Sequence, residues 1–480
     1  MARSSVRFLL LLLAPFLAAQ NYDVVLRGGR VMDPESGLDA VRNVGINGKK
    51  VAAVSAQPLR GKIEIDARNL VVAPGFIDLH SHGQTPEAYS FKAMDGVTTA
   101  LELEVGASPV SEWYSAREGK SLIHFGASAG HIPARMAVMH DTGDFLPRDR
   151  AAHGVATDEE TLSILNAVRR GLDDGAIGIG LGIAYVPTAP RGEIFRLFQL
   201  AGDRRVPVFV HVRGAAPDEP RSEAIPSIQE VIADAAATGS PLHIVHLTSV
   251  AARQTPLALQ MIEGARKHGV DVTTEMYPYT ASATRIESAI YDGDWPARTG
   301  NKYSDLQWVA TGERLTEETF AKYRKEGGAV IAHTLPEEAL LAAIKNPQVM
   351  IASDGRLAGG KGHPRSSGTF ARVLGLYVRE KKVIPLMEAI RRMTLMPALR
   401  LEASVPAMHN KGRIKIGADA DLVAFDPDRV IDKATFENPA QYSDGIEHVL
   451  VGGIFVVRDS HFVAEVFPGA GLRTDRTMKH

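Results

Sequence analysis

The chain has 480 residues, 45% hydrophobic and 23% charged, an ordinary globular composition with ample material for a large core. Its net charge of -2, with acidic and basic residues interspersed, argues against a nucleic-acid surface and favours small neutral or singly charged substrates over polyanions. It has no cysteine, which excludes a disulfide framework, a lipoprotein anchor and any thiolate metal ligand.

Residues 1–20 read as a secretory signal. Arg3 and Arg7 give a positive start, the apolar run from Phe8 to Leu17 is too short to span a bilayer, and Ala18-Ala19-Gln20 supplies small residues for cleavage. The expected location is periplasmic or secreted, with no membrane association after cleavage. From Tyr22 to about Ala73 the pattern is β throughout, with Gly28-Gly29 as a turn and Asn47-Gly48 as a hairpin signal. Similar strands recur around Asp421–Asp426 and Val449–Val457.

Between these ends, apolar strand-like runs alternate with helical stretches. The run Leu70–Pro74 precedes His80, and Thr98–Glu104, Leu122–Gly126, Ala176–Gly180, Val206–His211, Leu242–His246, Val270–Thr274 and Val349–Ser353 follow. Helical periodicity marks Glu159–Asp173, Glu193–Arg204, Ser227–Thr238, Pro256–His268 and Ile384–Met393. Eight strands with intervening helices predict an α/β fold, a (β/α)8 TIM-like barrel, with a small β-sandwich domain built from both chain ends. The expected layout is a signal over 1–20, a β domain from 21–73 and 406–480, and a barrel over 74–405 with an insertion near 285–346.

Reactive residue types fall at the strand ends, where a barrel of this kind places its chemistry. Gly75-Phe76-Ile77-Asp78-Leu79-His80-Ser81-His82 puts two imidazoles on one face, with an Asp before them able to support the pair. His211, His246 and Asp354 close later runs. Taken singly, His246 reads as a core histidine and Asp354 as a turn cap; sharing one rim with His80 and His82, they read as a divalent-metal site. Glu102 and Glu104 share a strand face, and Glu104, nearer the rim, is the preferred bridging ligand. His243 faces away from His246 on its strand and reads as structural.

At this point the chain resembles the amidohydrolase superfamily, whose pattern is His-x-His, two later His and a late Asp on a (β/α)8 barrel. More narrowly it is similar to the D-aminoacylase (N-acyl-D-amino-acid deacylase) family. The resemblance is carried by Gly96-Val97-Thr98-Thr99, Gly130-His131, Tyr277-Pro278-Tyr279-Thr280, Ser353-Asp354-Gly355 and His363-Pro364-Arg365 with Gly368-Thr369-Phe370. It implies a divalent metal cofactor, expected to be zinc, with one or two ions held by His80, His82, Glu104, His211, His246 and Asp354. It also implies Asp354 as the catalytic acid–base, Arg365 as the carboxylate-binding Arg and Tyr277 as a substrate contact; His131 and Tyr185 are further candidates at the substrate.

Two positions depart from the family. Near Val105 the deacylases often carry a Cys ligand, which here leaves Glu104 to bridge; at Thr248 they often carry a Lys that contacts the substrate carboxylate. The absence of Lys from Ala176–Tyr185 weighs against hydantoinase-like and dihydroorotase-like sites. The expected activity is hydrolysis of the amide of N-acyl-D-amino acids or related N-acyl amino acids. The alternatives are a dipeptidase or a cyclic amide or lactone hydrolase on the same site, and a non-catalytic secreted binding protein. The expected partner is a small molecule, with no nucleic acid, and a homo-oligomer remains open.

Overall fold

The computed structural model describes residues 21–214 and 223–475. The export signal read in residues 1–20 lies outside the described residues. Among the described residues no helix is long and apolar enough to cross a membrane.

The two chain ends meet in one nine-stranded sheet. The four-residue strand Val71–Pro74 joins them. It runs parallel to Asn21–Asp33, pairing Val71 with Arg30, and antiparallel to Leu422–Phe425, pairing Val72 with Ala424. Alternate side chains of the central strands serve two cores. Val72, Leu422, Ala424 and Leu450 pack with Val24, Leu26, Val44 and Ile46 inside the sheet's own apolar core. Val71, Ala73, Val423, Phe425, Val449 and Val451 face the other way, into the core shared with the barrel. Burial on both faces explains why these strands read as unbroken apolar runs. The expected sandwich is thus a single mixed sheet, hydrogen-bonded throughout, around its own core.

The barrel contains eight parallel strands: β1 (Phe76–Asp78), β2 (Val97–Ala107), β3 (His124–Gly130), β4 (Ile179–Gly182), β5 (Val208–His211), β6 (Leu242–Ile244), β7 (Val272–Met276) and β8 (Val349–Ile351). Each is hydrogen-bonded to the next in chain order. The first strand corrects the sequence reading. The run Leu70–Pro74 belongs mainly to the terminal sheet, and the barrel begins only after Gly75. At that crossover the backbone passes so close to β2 that a Cβ on Gly75 would lie 2.2 Å from Thr98 Cγ2. Strand β4 is also displaced from the expected Ala176–Gly180.

The seam between β1 and β8 closes at the rim rather than along the strands. Asp354 N donates to His80 O at 2.7 Å, and His82 N to Gly355 O at 2.8 Å. Beneath them Asp78 accepts from Ser353 N and Oγ at 2.9 and 2.6 Å and pairs with Lys92 at 2.9 Å. The helices form where periodicity predicts. The helix Asp158–Asp173 is opened by a reciprocal capping box between Thr157 and Glu160 and buries Ile164, Leu165, Val168 and Leu172 at helical spacing.

The long connection after β7 is an insertion with its own structure. Strands Ser282–Arg285, Leu306–Trp308 and Ala329–Ala332 form a three-stranded sheet. Tyr291, Trp295, Trp308, Phe320 and Tyr323 pack into a separate aromatic core. Glu275 precedes this insertion and lies within β7.

Candidate metal centre and substrate cavity

Four ligand-type side chains converge at the C-terminal rim. His80 Nε2 lies 3.0 Å from His82 Nε2 and 2.9 Å from Glu104 Oε2, and His82 Nε2 lies 3.1 Å from the same oxygen. Asp354 Oδ1 completes the group at 3.4 Å from His80 Nε2 and 3.3 Å from His82 Nε2. All four residues are buried. A tetrahedral divalent site with metal–ligand bonds of about 2.0–2.2 Å has edges of about 3.3–3.6 Å. The four atoms are therefore spaced as the corners of such a site drawn slightly inward.

Glu104 also faces a second group. Its other oxygen, Oε1, is 2.9 Å from His211 Nδ1 and 3.9 Å from His246 Nε2. One carboxylate thus serves two clusters, His80–His82–Glu104–Asp354 and Glu104–His211–His246. Two of the ligand-type residues have left-handed backbones, His246 with φ 32° and Asp354 with φ 51°. Such conformations in non-glycine residues are held by their surroundings and concentrate at functional sites.

The far side of each leading imidazole is occupied. His80 Nδ1 meets Glu275 Oε1 at 2.7 Å, and His82 Nδ1 meets Glu102 Oε1 at 2.8 Å. With Nδ1–H donating to a carboxylate, each ring points Nε2 into the cluster, so that an ion displacing the Nε2 proton meets the tautomer a metal requires. Glu275 is itself held through Oε2 by His243 Nε2 at 3.1 Å, and His243 Nδ1 meets Thr273 Oγ1 at 2.8 Å. Asp78 supports the pair through the backbone, accepting His80 N at 3.2 Å, rather than through the rings.

The electrostatics follow from this crowding. Burial disfavours the imidazolium of His80, but Asp354, Glu104 and Glu275 outweigh it and raise the ring to about 10. Burial, reinforced by His211, lowers His246 to about 3 and keeps it neutral. Burial opposes the ionised form of Asp354, yet Arg365 and the facing histidines hold it well below the usual carboxylate range. The donor set is rich in negative charge and imidazole nitrogen, and it suits a divalent cation.

A cavity of about 140 Å³ opens directly over His82, Glu104 and Asp354. Ala283, Thr284, Val309 and Ala329 of the insertion wall one side. Tyr185 lines it, with its Oη 3.2 Å from Thr284 Oγ1 and its ring edge on His211. Arg365 also lines it, its Nη1 2.9 Å from Asp354 Oδ2. That contact is not aligned as a hydrogen bond, so among the described residues Nε and Nη1 of Arg365 remain without acceptors. Tyr277 lies beneath Arg365, 4.4 Å from ring centre to guanidinium, and its buried hydroxyl has no hydrogen-bond partner among the described residues. His131, expected at the substrate, is not among the lining residues. It is fully buried, with Nε2 2.7 Å from Glu193 Oε1, and Arg135 bonds the same carboxylate. The charge of Glu193 draws this imidazole into the packing around the helix Arg191–Arg204.

A model of the amidohydrolase family matches residues 64–127 and 183–457. The chain belongs to the amidohydrolase family. The N-acyl-D-glutamate deacylase of Alcaligenes xylosoxydans xylosoxydans is 30% identical to this amidohydrolase over 96% of the chain and 98% of its own length. The D-aminoacylase of the same organism is 28% identical over 93% and 97%. Among solved structures, the N-acyl-D-glutamate deacylase of Bordetella bronchiseptica, complexed with zinc and a phosphonate mimic of the tetrahedral intermediate, superposes with a TM-score of 0.80. It is 26% identical, and the match covers 95% of this chain and all of the other.

Glu275, Arg356 and Lys361 were not singled out in the sequence, and each bears on this amidohydrolase's site. Glu275 carried a readable signal, an ionisable residue inside an apolar strand, masked by placing the strand two residues early. Arg356 and Lys361 lie in the loop after Asp354 and carried none.

Proposed function

We propose that this amidohydrolase is a metal-dependent deacylase that hydrolyses the amide of N-acyl amino acids, with N-acyl-D-amino acids as the first substrates to test. The observation that carries this reading is the double cluster on Glu104, set in the floor of a small cavity. The full-length similarity to the two Alcaligenes deacylases supports it. His80, His82, Glu104 and Asp354 would hold one ion, and Glu104, His211 and His246 a second. Nitrogen and oxygen donors in this arrangement suit zinc. A divalent ion, when bound, lowers the pKa of water toward neutrality and acts as a Lewis acid toward the amide carbonyl.

The protein residues supply the rest. Asp354, with one oxygen toward the histidines and the other toward Arg365, accepts the proton of the attacking water and returns it to the leaving amine nitrogen. Glu275 and Glu102 hold the imidazoles in the ligand tautomer. Arg365, with two unmet donors above Tyr277, takes the substrate carboxylate. The insertion wall offers apolar contact for the acyl group through Val309 and Ala329.

The test is elemental analysis of the purified protein together with acetate release from matched N-acetyl-D- and N-acetyl-L-amino acids, for the wild type and Glu104→Ala. Bound metal with D-selective release, both lost in the variant, is the expected result. Metal without release from either enantiomer would redirect the search to dipeptides, cyclic amides and lactones. Export rests on residues 1–20 alone, and cell fractionation with amino-terminal sequencing of the mature protein tests it.

A further inference from the structure

We propose that Arg356, seconded by Lys361, is the specificity-determining cation of the cavity, holding a carboxylate of the substrate. The inference rests on the deacylase reading and extends it to the selection of substrate charge.

Four cationic side chains line the cavity, and two are already matched by carboxylates. Arg285 donates to Glu287 Oε1 at 2.7 Å. Arg365 lies against Asp354, so a substrate carboxylate arriving there gains the field of the guanidinium but also meets the field of Asp354. Asp354 thus offsets part of the attraction of Arg365 for the carboxylate it takes, and a second cation is needed to make charge selection strong.

Arg356 and Lys361 have no such match. Among the described residues neither side chain makes a hydrogen bond. The nearest carboxylate to Arg356 is Asp144 Oδ2 at 4.0 Å, on a side chain that is 77% exposed. The guanidinium is nonetheless positioned: it lies 4.2 Å above the ring of Phe145, and Phe145 meets the ring of His82 edge-on at 5.2 Å. One phenyl ring therefore separates this cation from a residue of the metal cluster, and both line the same cavity. A partly buried guanidinium with unmet donors is costly unless an acceptor arrives, and the planar fork suits a carboxylate. The backbone adds rigidity, because Leu357–Ala358 pairs with Lys361–Gly362 in a short hairpin that carries both cations. The recognised group is a carboxylate in an N-acyl compound, at either the α-carbon or the side chain.

Two ratios of kcat/KM, read by acetate release in wild type, Arg356→Met and Arg356→Lys, identify it. N-acetylleucine over N-acetylleucinamide reports an α-carboxylate; N-acetylglutamate over N-acetylglutamine reports a side-chain carboxylate. One ratio is expected to fall at least tenfold in Arg356→Met and to recover in part in Arg356→Lys, with metal content unchanged. Both ratios staying within twofold of wild type would overturn the proposal. Calorimetric titration of succinate, which has no amide to cleave, tests the cation apart from the chemistry. Binding at least tenfold weaker in Arg356→Met supports the carboxylate site even if no N-acyl amino acid is turned over. Equal affinity, or no binding to the wild type, overturns it.

Discussion

At the residue scale, position along one strand separates two carboxylates that look alike in sequence. Glu104 turns both oxygens into the clusters, whereas Glu102 reaches the outer nitrogen of His82. Glu104→Ala should therefore lose bound metal, while Glu275→Gln, which disturbs the support of His80 and the contact with His243 but removes no ligand, should keep the site and weaken metal affinity by about 10–100-fold. Competition with a chromogenic chelator measures both. Asp354→Asn should retain metal yet lower kcat by about 10²–10⁴; turnover near that of the wild type would remove Asp354 from its acid–base role. Glu275 also shows why a support residue is hard to read from sequence. Its function depends on His80, 195 positions away, and on His243, which strand alternation was expected to turn away from the site but whose Nε2 meets Glu275 inside the barrel, beside Phe209.

At the element scale, the insertion behaves as a unit because it has its own core. Trp295 is 2% exposed and meets Tyr291, Tyr303 and Phe320. Trp295→Ala should cost about 3–5 kcal/mol locally. The expected result is faster proteolysis within 282–332 and a higher KM, with metal content preserved because no ligand comes from this segment. Limited proteolysis with mass spectrometry, beside metal analysis, checks it. The length of the connection announced an insertion; its three-stranded sheet was not legible, because short strands with few alternations resemble loops. The strand Val71–Pro74 was misread for a related reason. An apolar run buried on both faces has no periodicity to say which sheet it joins, and the Cβ contact that would form at Gly75 marks the change of sheet only in three dimensions.

At the scale of the whole molecule, the terminal sheet is tied to the barrel by a buried charge cluster. Asp421 sits between Lys411 Nζ at 2.5 Å and His124 Nε2 of β3 at 3.1 Å, and it accepts Gly452 N at 2.7 Å. Burial opposes its ionisation, but His124 and Lys411 outweigh burial and hold it far below the usual range. A carboxylate with a lowered folded-state pKa adds stability above its unfolded value of about 3.9 and loses it as pH falls from there toward the folded value. Asp421→Asn should cost ~3 kcal/mol at neutral pH. Its stability should also fall less steeply than that of the wild type below about pH 4, as urea unfolding at several pH values would show. Metal removal should act on the entire barrel, since both clusters link β1, β2, β5, β6 and β8. Chelation is expected to lower Tm, and a ligand present at 100 times its Kd contributes about 2.7 kcal/mol.

Local pattern along the chain carries the class of fold and the kind of chemistry. Strand-forming and helix-forming periods alternate along the chain, and His80, His82, His211, His246 and Asp354 stand where apolar runs end, so a parallel barrel must gather them at one rim. Those statements depend only on local pattern. The rest depends on contacts between distant segments: Glu104 over Glu102 as the shared carboxylate, Glu275 behind His80, His131 drawn to Glu193, and Arg356 left beside Phe145 without an acceptor among the described residues. A side chain's partners are set by the field and packing of every element around it, and that information enters only when the strands are brought together.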